Sequence, residues 1–447
     1  MIIPENIKYV LEKLNNHNYE AYIVGGCVRD ILLGYEPYDY DITTNALPEE
    51  IKEVFSDCGI INKNGEKHGT VTIRYNHENI EITTFRCDGQ YLDHRHPNDV
   101  IFTRNLKEDL SRRDFTINAM AYDLNNKLYD YFDGEKDLNN NIIKAVGNPH
   151  KRFDEDALRI LRALRFSSVL GFDIDNETLD AMYILKDTVS YVSKERIKIE
   201  LDKMICGKYF SKIMRNKKIR EIFGVIIPEI KDTFDFDQKS KYHSNDLYNH
   251  ILNVVEKVDN NHILRLSALF HDIGKATNYQ VDYRDGKEIY HFLNHEKKSY
   301  EIALNVLKRL KYSNDEIEKI SFLVLYHDYK FTNKIRSVRK FMAIMPKKDM
   351  DLLLDYLIML KIADASDHNN VELFDFSIVR ELYYKIKNDP DECYNLKTLK
   401  IDGNQLKKLG YDGKDIGIIL NDVLDEVINN RLKNNNDSII DYIKKNY

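Results

Sequence analysis

Two acidic residues separated by a single residue, Asp39 and Asp41, follow a pair of glycines, Gly25 and Gly26. Alternate residues of a strand project to the same face, so the spacing predicts a strand that presents both carboxylates together. Like charges side by side repel unless a cation lies between them, and hard carboxylate oxygens suit Mg²⁺. The glycines have no Cβ, so a phosphate can approach the backbone N–H groups of Gly25 and Gly26 at a helix N-terminus. A phosphate cradle facing a two-carboxylate metal site is machinery for nucleotidyl transfer. A dinucleotide-binding turn is the competing reading. It fails because the glycines do not follow G-x-G-x-x-G and the acids come too soon after them.

Such a pair needs a sheet to hold it. Residues 21–42 read as a short apolar strand, a Gly-Gly turn, a short helix and the acidic strand. Ile7, Val10, Leu11 and Leu14 predict an amphipathic helix ahead of it, and 48–55 predicts another. Residues 69–75 and 80–86 alternate and are β-branched, so they predict a hairpin. Glu81 lies on its second arm. Taken alone it reads as a solvent-facing charge; beside an acidic pair in the same sheet it becomes a candidate third carboxylate, able to hold metal or accept a proton. Residues 87–104 read as a polar loop, with His94, Arg95 and His96 as candidate phosphate contacts. A short helix at 106–112 leads into a strand near 121, where Arg113 and Asp114 are placed to hold a phosphate and a ribose hydroxyl. A turn at Asn125 and Asn126 joins two more strands, and beyond about residue 150 strand signals nearly vanish.

Residues 153–166 predict a strong helix, on which Asp156 and Arg159 share a face at i, i+3. One reading is a surface ion pair. The other follows from donor chemistry: a carboxylate only accepts and a guanidinium only donates. Side by side they match an amino group next to a ring-nitrogen acceptor, the edge shared by cytosine and adenine. Uracil and guanine present the reverse. The pair thus admits C and A without a template. Further on, a run of cations from Lys194 and Arg196 to Arg220 reads either as a phosphate-backbone stripe or as a solvated helix face.

The chain has 447 residues, room for about three domains. Apolar residues make up 43%, enough for a core, and only 8 prolines occur, which favours helices. The net charge of −7 gives no sign of nucleic-acid binding by itself, so local charge must decide that. The five cysteines include no C-x-x-C, which points to a reducing compartment without disulfides or a zinc ribbon. The first residues show no signal-peptide pattern, and no apolar run reaches about 18 residues, so no membrane span is expected. A cytoplasmic location follows as the expectation; the oligomeric state is not legible.

Together these segments match a known family. The stretches around Gly25 to Asp30, Asp39 to Asp41, 80–86, 112–119 and 155–159 resemble, in order and spacing, the class II tRNA nucleotidyltransferases, CCA-adding enzymes related to bacterial poly(A) polymerases. The resemblance covers roughly residues 20–170. It implies a nucleotidyltransferase head, a helical neck with the base-selecting pair, and helical segments that grip tRNA. On that basis Asp39 and Asp41 bind Mg²⁺ and Glu81 is the third active-site carboxylate. Gly25, Gly26 and Arg29 steady phosphates, Arg113 and Asp114 contact phosphate and ribose, and Asp156 with Arg159 pairs with the incoming base of CTP or ATP.

A second constellation, His250, His271-Asp272 and Asp364, resembles the HD phosphohydrolase superfamily, whose helices bring four such side chains to one divalent metal. Histidine and carboxylate ligands suit Mn, Ni, Fe or Co better than Mg. His295 and His327 fit that superfamily's ligands for a second metal. A degenerate domain kept for tRNA binding is the plainer alternative. The expected fold is α+β: a mixed-sheet head over 1–150, an all-α neck and body over 151–238, an HD domain over 239–375 and a helical tail over 376–447. The expected function is addition of CCA to tRNA, with HD phosphohydrolase activity. Still open are CC-only or A-only addition, poly(A) polymerase activity, an inactive RNA-binding protein, and an HD phosphohydrolase with a nucleotide-sensing head.

Overall fold

The structure, a computed structural model, describes residues 3–60, 69–88, 100–240, 245–369 and 373–447. It divides into two compact units, Met1–Lys231 with Arg309–Lys311, and Asp232–Lys308 with Tyr312–Tyr447. Among the described residues, no helix is long and apolar enough to cross a membrane.

The first unit starts with α1 (Glu5–Asn16), whose apolar stripe Ile7, Val10, Leu11 and Leu14 is buried as its period predicts. Then come β1 (Ala21–Val24), α2 (Gly26–Leu32), β2 (Asp41–Thr44), α3 (Pro48–Val54), β3 (Gly59–Ile60), β4 (Thr70–Tyr75) and β5 (Glu78–Thr84). Two short strands, β6 (Arg86–Asp88) and β7 (Val100–Phe102), pair with each other apart from the main sheet. After α4 (Leu106–Ser111), the hairpin β8 (Met120–Tyr122) and β9 (Leu128–Asp130) turns where Asn125 and Asn126 predict it. The seven-stranded sheet has the order β3-β4-β5-β2-β1-β8-β9. Every neighbouring pair is antiparallel except β2 and β5, which run parallel with Ile42 opposite Ile82.

Helices follow: α5 (Gly134–Asn139), α6 (Pro149–Glu155), α7 (Leu158–Leu170), α8 (Asn176–Ile184), α9 (Lys194–Ile205), α10 (Phe210–Met214) and α11 (Lys217–Ile226). Two corrections to the sequence expectations arise here. The loop expected over 87–104 begins and ends in the strands β6 and β7; His94, Arg95 and His96 lie outside the described residues. The single helix expected over 153–166 is two helices. Asp156 is extended (φ −142°, ψ 103°), and its Oδ1 accepts from the Leu158 N–H at 3.0 Å. A short acidic side chain competes with the helix for backbone donors in this way, so it ends α6 and starts α7.

In the second unit, α12 (Leu247–Lys257) is capped by Asp246, whose side chain accepts from the Asn249 N–H. The helix α13 (His262–Phe270) is apolar and buried along nearly its whole length. A β-hairpin of β10 (Gln280–Arg284) and β11 (Lys287–His291) follows. It was not among the expected elements, although Asp285-Gly286 is a strong hairpin-turn signal; both residues have positive φ, 52° and 73°. Four helices complete the core: α14 (His295–Arg309), α15 (Asn314–Tyr326), α16 (Ile335–Ile344) and α17 (Met350–Ala365). The tail adds α18 (Ser377–Asn388), α19 (Gly403–Lys408), α20 (Gly413–Ile428) and α21 (Asn436–Asn446), with a core including Leu406, Ile419, Val423 and Ile439. Asn435 caps α21, its side chain accepting from the Ser438 N–H.

Candidate active and metal sites

The parallel pairing of β2 with β5 builds the head site. With Ile42 opposite Ile82, the same register sets Asp41 beside Glu81. Ile42 and Ile82 are buried at 1% and 0% exposure, so alternation turns Asp41 and Glu81 to the opposite, open face. Both line a cleft of about 210 Å³ together with Thr43, Arg86, Arg112 and Arg113.

Asp39 does not lie on the strand, contrary to expectation. The chain leaves β1 at Gly25 (φ 80°), so β2 loses its β1 partner ahead of Asp41. Asp39 sits in the exposed segment just ahead. It is still close enough to act on Asp41: the protein wall behind Asp41 takes water from its carboxylate and raises its pKa, Arg113 pulls it down, and the Asp39 charge raises it again.

Gly25 is required for two reasons. Its φ suits glycine, and a Cβ there would lie 2.9 Å from Arg113 Nη1. The Gly25 N–H is directed to the Met120 carbonyl at 3.4 Å, so only part of the expected phosphate cradle faces outward. Arg29 donates from Nε and Nη2 to Asp30 Oδ1 (2.9 and 2.8 Å) and from Nη1 to Asn118 Oδ1 (2.9 Å). Asp114 is 7% exposed, accepts from the Phe115 N–H and Asn118 Nδ2 at Oδ1, and meets Arg162 Nε at Oδ2 (2.6 Å). Burial opposes its ionisation, but Arg162 and these hydrogen bonds outweigh it and hold the carboxyl low.

The expected base-reading pair does not share a helical face, because the helix breaks at Asp156. Asp156 Oδ2 lies 3.4 Å from Arg196 Nη2 on α9. Arg159 is buried at 7% exposure; Nη1 donates to Glu155 Oε2 and the Arg152 carbonyl, and Nη2 to the Arg112 carbonyl.

Three residues that the sequence analysis left unassigned stand at this site. Asp109, fully buried, holds Arg112 at 2.9 Å and Arg113 at 3.5 Å. Arg162 and Arg165, with Arg29, surround the Phe166 ring at 5.4, 4.3 and 5.1 Å. The three-residue spacing of Arg159, Arg162 and Arg165 was the signal for an arginine face.

In the second unit the expected ligands do converge. One ligand atom each from His250, His271, Asp272 and Asp364 fall within 4.8 Å of one another, and so do those from Asp272, His295 and His327. Asp272 belongs to both sets. Its Oδ2 lies 3.3 Å from His250 Nε2 and 3.4 Å from His271 Nε2, and its Oδ1 lies 3.1 Å from His295 Nε2 and 3.5 Å from His327 Nε2. Asp364 Oδ1 lies 3.2 Å from His250 Nε2 and 3.7 Å from His271 Nε2. Lys275 Nζ, unassigned from the sequence, is 2.5 Å from Asp272 Oδ2, and His368 Nε2 is 3.4 Å from Asp364 Oδ1.

The donor set fits a transition-metal ion. His271 Nε2, Asp272 Oδ1 and Asp364 Oδ1 are buried without a hydrogen bond of acceptable geometry. Such orphaned atoms are costly unless something positive meets them. Ligands about 2.1 Å from one ion at right angles stand about 3 Å apart, close to these spacings. Without the ion, protons take its place. Burial alone would lower the pKa of His250, but the carboxylates of Asp272, Asp364 and Asp367 around it push it up to about 10. His271, against the same burial, is raised to about 9 by Asp272 and Asp364. Burial lowers His327 despite the Asp272 carboxylate. The head donors are all carboxylate oxygens, which suits Mg²⁺, but among the described residues Asp39, Asp41 and Glu81 do not form a third convergent set.

Comparison with known proteins agrees with this layout. The family pattern described as "Poly A polymerase head domain" matches residues 21–144, "Probable RNA and SrmB- binding site of polymerase A" matches 171–234, and "HD domain" matches 241–369. A CCA-adding enzyme of Staphylococcus epidermidis is 32% identical over 99% of this chain and 98% of its own. Among solved structures, the Bacillus stearothermophilus CCA-adding enzyme in complex with CTP superposes with a TM-score of 0.70 at 23% identity, covering 100% of this chain and 98% of that one. The Thermotoga maritima CCA-adding enzyme complexed with tRNA gives a TM-score of 0.58 at 19% identity, covering 99% and 96%. At such identities the structures speak for the fold.

Proposed function

The chain belongs to the CCA-adding enzymes, a family of nucleotidyltransferases, and from that premise we propose that it builds the CCA end of tRNA from CTP and ATP. The observation that carries the site assignment is the parallel register that sets Asp41 beside Glu81 in a cleft walled by Arg112 and Arg113. Asp39 and Asp41 hold Mg²⁺, which when bound neutralises triphosphate charge and lowers the pKa of the attacking hydroxyl. Glu81 accepts the proton of the tRNA 3′-hydroxyl. That oxygen bonds to the α-phosphate in line, the bond to the β-phosphate breaks, and pyrophosphate leaves. Arg113, held forward by Asp109, and Arg29 steady the phosphates, with the Gly26 backbone beside them. Gly25 leaves room for Arg113, and Asp114 offers Oδ2 to the ribose.

Asp156 and Arg159 read the base by exchanging Arg196 and Glu155 for the Watson–Crick edge of C or A. Arg162 and Arg165 extend this donor face along α7. In this scheme residues 1–150 are the catalytic head, 151–238 the neck and body that grip tRNA, 239–375 the HD domain and 376–447 the tail. Three tRNA substrates, ending before CCA, after C and after CC, test it when each receives CTP, ATP or both with Mg²⁺. Addition that stops at a complete CCA on all three supports the proposal. Extension of one substrate alone indicates a CC- or A-restricted enzyme, a long A ladder indicates a poly(A) polymerase, and no addition contradicts the proposal.

The converging histidines and carboxylates favour a second activity. His250, His271, Asp272 and Asp364 hold one Mn, Ni, Fe or Co ion, with His295 and His327 sharing Asp272 for another. Such an ion would supply Lewis-acid activation for hydrolysis of a phosphate ester. Release of phosphate from phosphate esters by wild type, and not by the Asp272→Ala variant, tests it.

A further inference from the structure

Each of the histidines His250, His271, His295 and His327 turns Nε2 toward Asp272, so each Nδ1 faces away and needs an acceptor. For three of them it is a backbone carbonyl three residues earlier. His271 Nδ1 is 2.7 Å from the Ala268 carbonyl, His295 Nδ1 2.7 Å from that of Phe292, and His327 Nδ1 2.7 Å from that of Val324. His271 and His327 stand at helix C-termini, where carbonyls are spare, and His295 opens α14 just after the turn that holds Phe292. His250 sits inside α12 and differs: its Nδ1 is 2.9 Å from a carboxylate oxygen, Asp367 Oδ2. Asp367 lies one turn past Asp364, with its N–H donating to the Asp364 carbonyl at 3.0 Å. Its other oxygen is also engaged: Asn253 Nδ2 donates to Oδ1 at 2.9 Å and Lys257 Nζ lies 3.2 Å away. Residues 250, 253 and 257 follow one another along a single face of α12. Both oxygens of Asp367 therefore grip one stripe of α12, with the ligand His250 at one end of it.

We propose that Asp367 is the positioning carboxylate of the HD metal centre. It keeps the proton of His250 on Nδ1, leaves the Nε2 lone pair directed at the ion, and ties the end of α17, hence Asp364, to α12. A carboxylate behind a ligating imidazole fixes its tautomer and raises its basicity. The inference rests on the metal-centre assignment above and goes beyond it by naming a residue that is not a ligand. Asp367 makes no contact with the reacting groups; it acts through His250 and Asp364.

The test uses the full-length chain with Co²⁺ as the probe, read by titration and by the visible absorption of the bound ion. Circular dichroism and thermal melting of each metal-free variant report folding of the second unit, and nucleotide addition to tRNA reports folding of the head. For Asp367→Ala the expected result is about 10- to 100-fold weaker Co²⁺ binding with an altered absorption band, and undiminished tRNA extension. Asp367→Asn keeps an acceptor oxygen and falls between this variant and wild type. Wild-type affinity and an unchanged band in Asp367→Ala overturn the inference. If that variant also loses its fold or tRNA extension, Asn253→Ala decides. Weaker Co²⁺ binding with fold and extension intact supports the role of Asp367, and unchanged binding overturns it. A wild-type chain that binds no Co²⁺ overturns the metal centre itself, and this inference with it.

Discussion

In the head, Asp41 and Glu81 line an open cleft, Asp39 lies exposed just ahead of Asp41, and the three carboxylates do not converge. In the second unit, His250 and His271 are sealed from water and their ligand atoms already crowd together with those of Asp272 and Asp364. The difference follows from what holds each set. A strand that starts at Asp41 opens its charges to an accessible cleft, where a cation can arrive together with a triphosphate. Buried carboxylates have no such outlet, so imidazoles, Lys275 and protons must neutralise them until an ion does. In the proposed scheme the head takes a metal that comes and goes with each nucleotide, and the helical cluster one that stays.

The sharpest way to break this contrast is to remove one centre at a time. Asp41→Ala should slow nucleotide addition by about 10³-fold, since charge placed at a reacting centre carries effects of that order, and leave the metal of the second unit in place. Asp272→Ala should do the reverse. Primer extension and metal analysis on both variants check the pair.

The pH dependence sharpens the contrast next. In the metal-free chain at pH 7, His250 and His271 hold protons that an incoming ion must displace, because their pKa values stand at about 10 and about 9. Metal affinity of the second unit should therefore rise with pH, by up to about 100-fold per unit, and flatten between pH 9 and 10. Calorimetry in buffers of different ionisation enthalpy should show about two protons released per ion. For the metal-free unit the sign is opposite: raised pKa values stabilise it fully below about pH 6.5, and that share is lost as pH climbs through 9 and 10.

Asp39-x-Asp41, Glu81 and the order His250, His271-Asp272, Asp364 are legible in the sequence because each rests on local spacing. What surrounds them is not. The start of β2 depends on where β1 ends, at a glycine well back along the chain. The helix expected across 153–166 has the right period, yet the side chain of Asp156 captures a backbone donor and breaks it. Asp367 lies 117 positions from the histidine it supports, so no window on the sequence connects them. The mixed head sheet followed by helices was readable from the loss of strand patterns after about residue 150, whereas the hairpin at β10 and β11 was overlooked despite its Asp-Gly turn.

Two smaller effects refine the head alone. Asp156→Ala should blur the choice of C and A over U and G by about 10- to 100-fold, since a bidentate base contact is worth about 1–3 kcal/mol. Parent-like discrimination in competition assays with all four nucleotides would remove the pairing scheme. Gly25→Ala should raise KM for CTP by about tenfold, because the added Cβ strains the turn by about 1–3 kcal/mol and crowds Arg113. Steady-state kinetics with the kcat and KM effects separated checks it.

The most direct measurement is metal retained per chain after desalting wild type, Asp41→Ala and Asp272→Ala into metal-free buffer, read by elemental mass spectrometry. A resident centre in the helices and a transient one in the head predict equal retention in wild type and Asp41→Ala and none in Asp272→Ala. Loss of the retained metal in Asp41→Ala, or its survival in Asp272→Ala, would contradict the contrast on which the account stands.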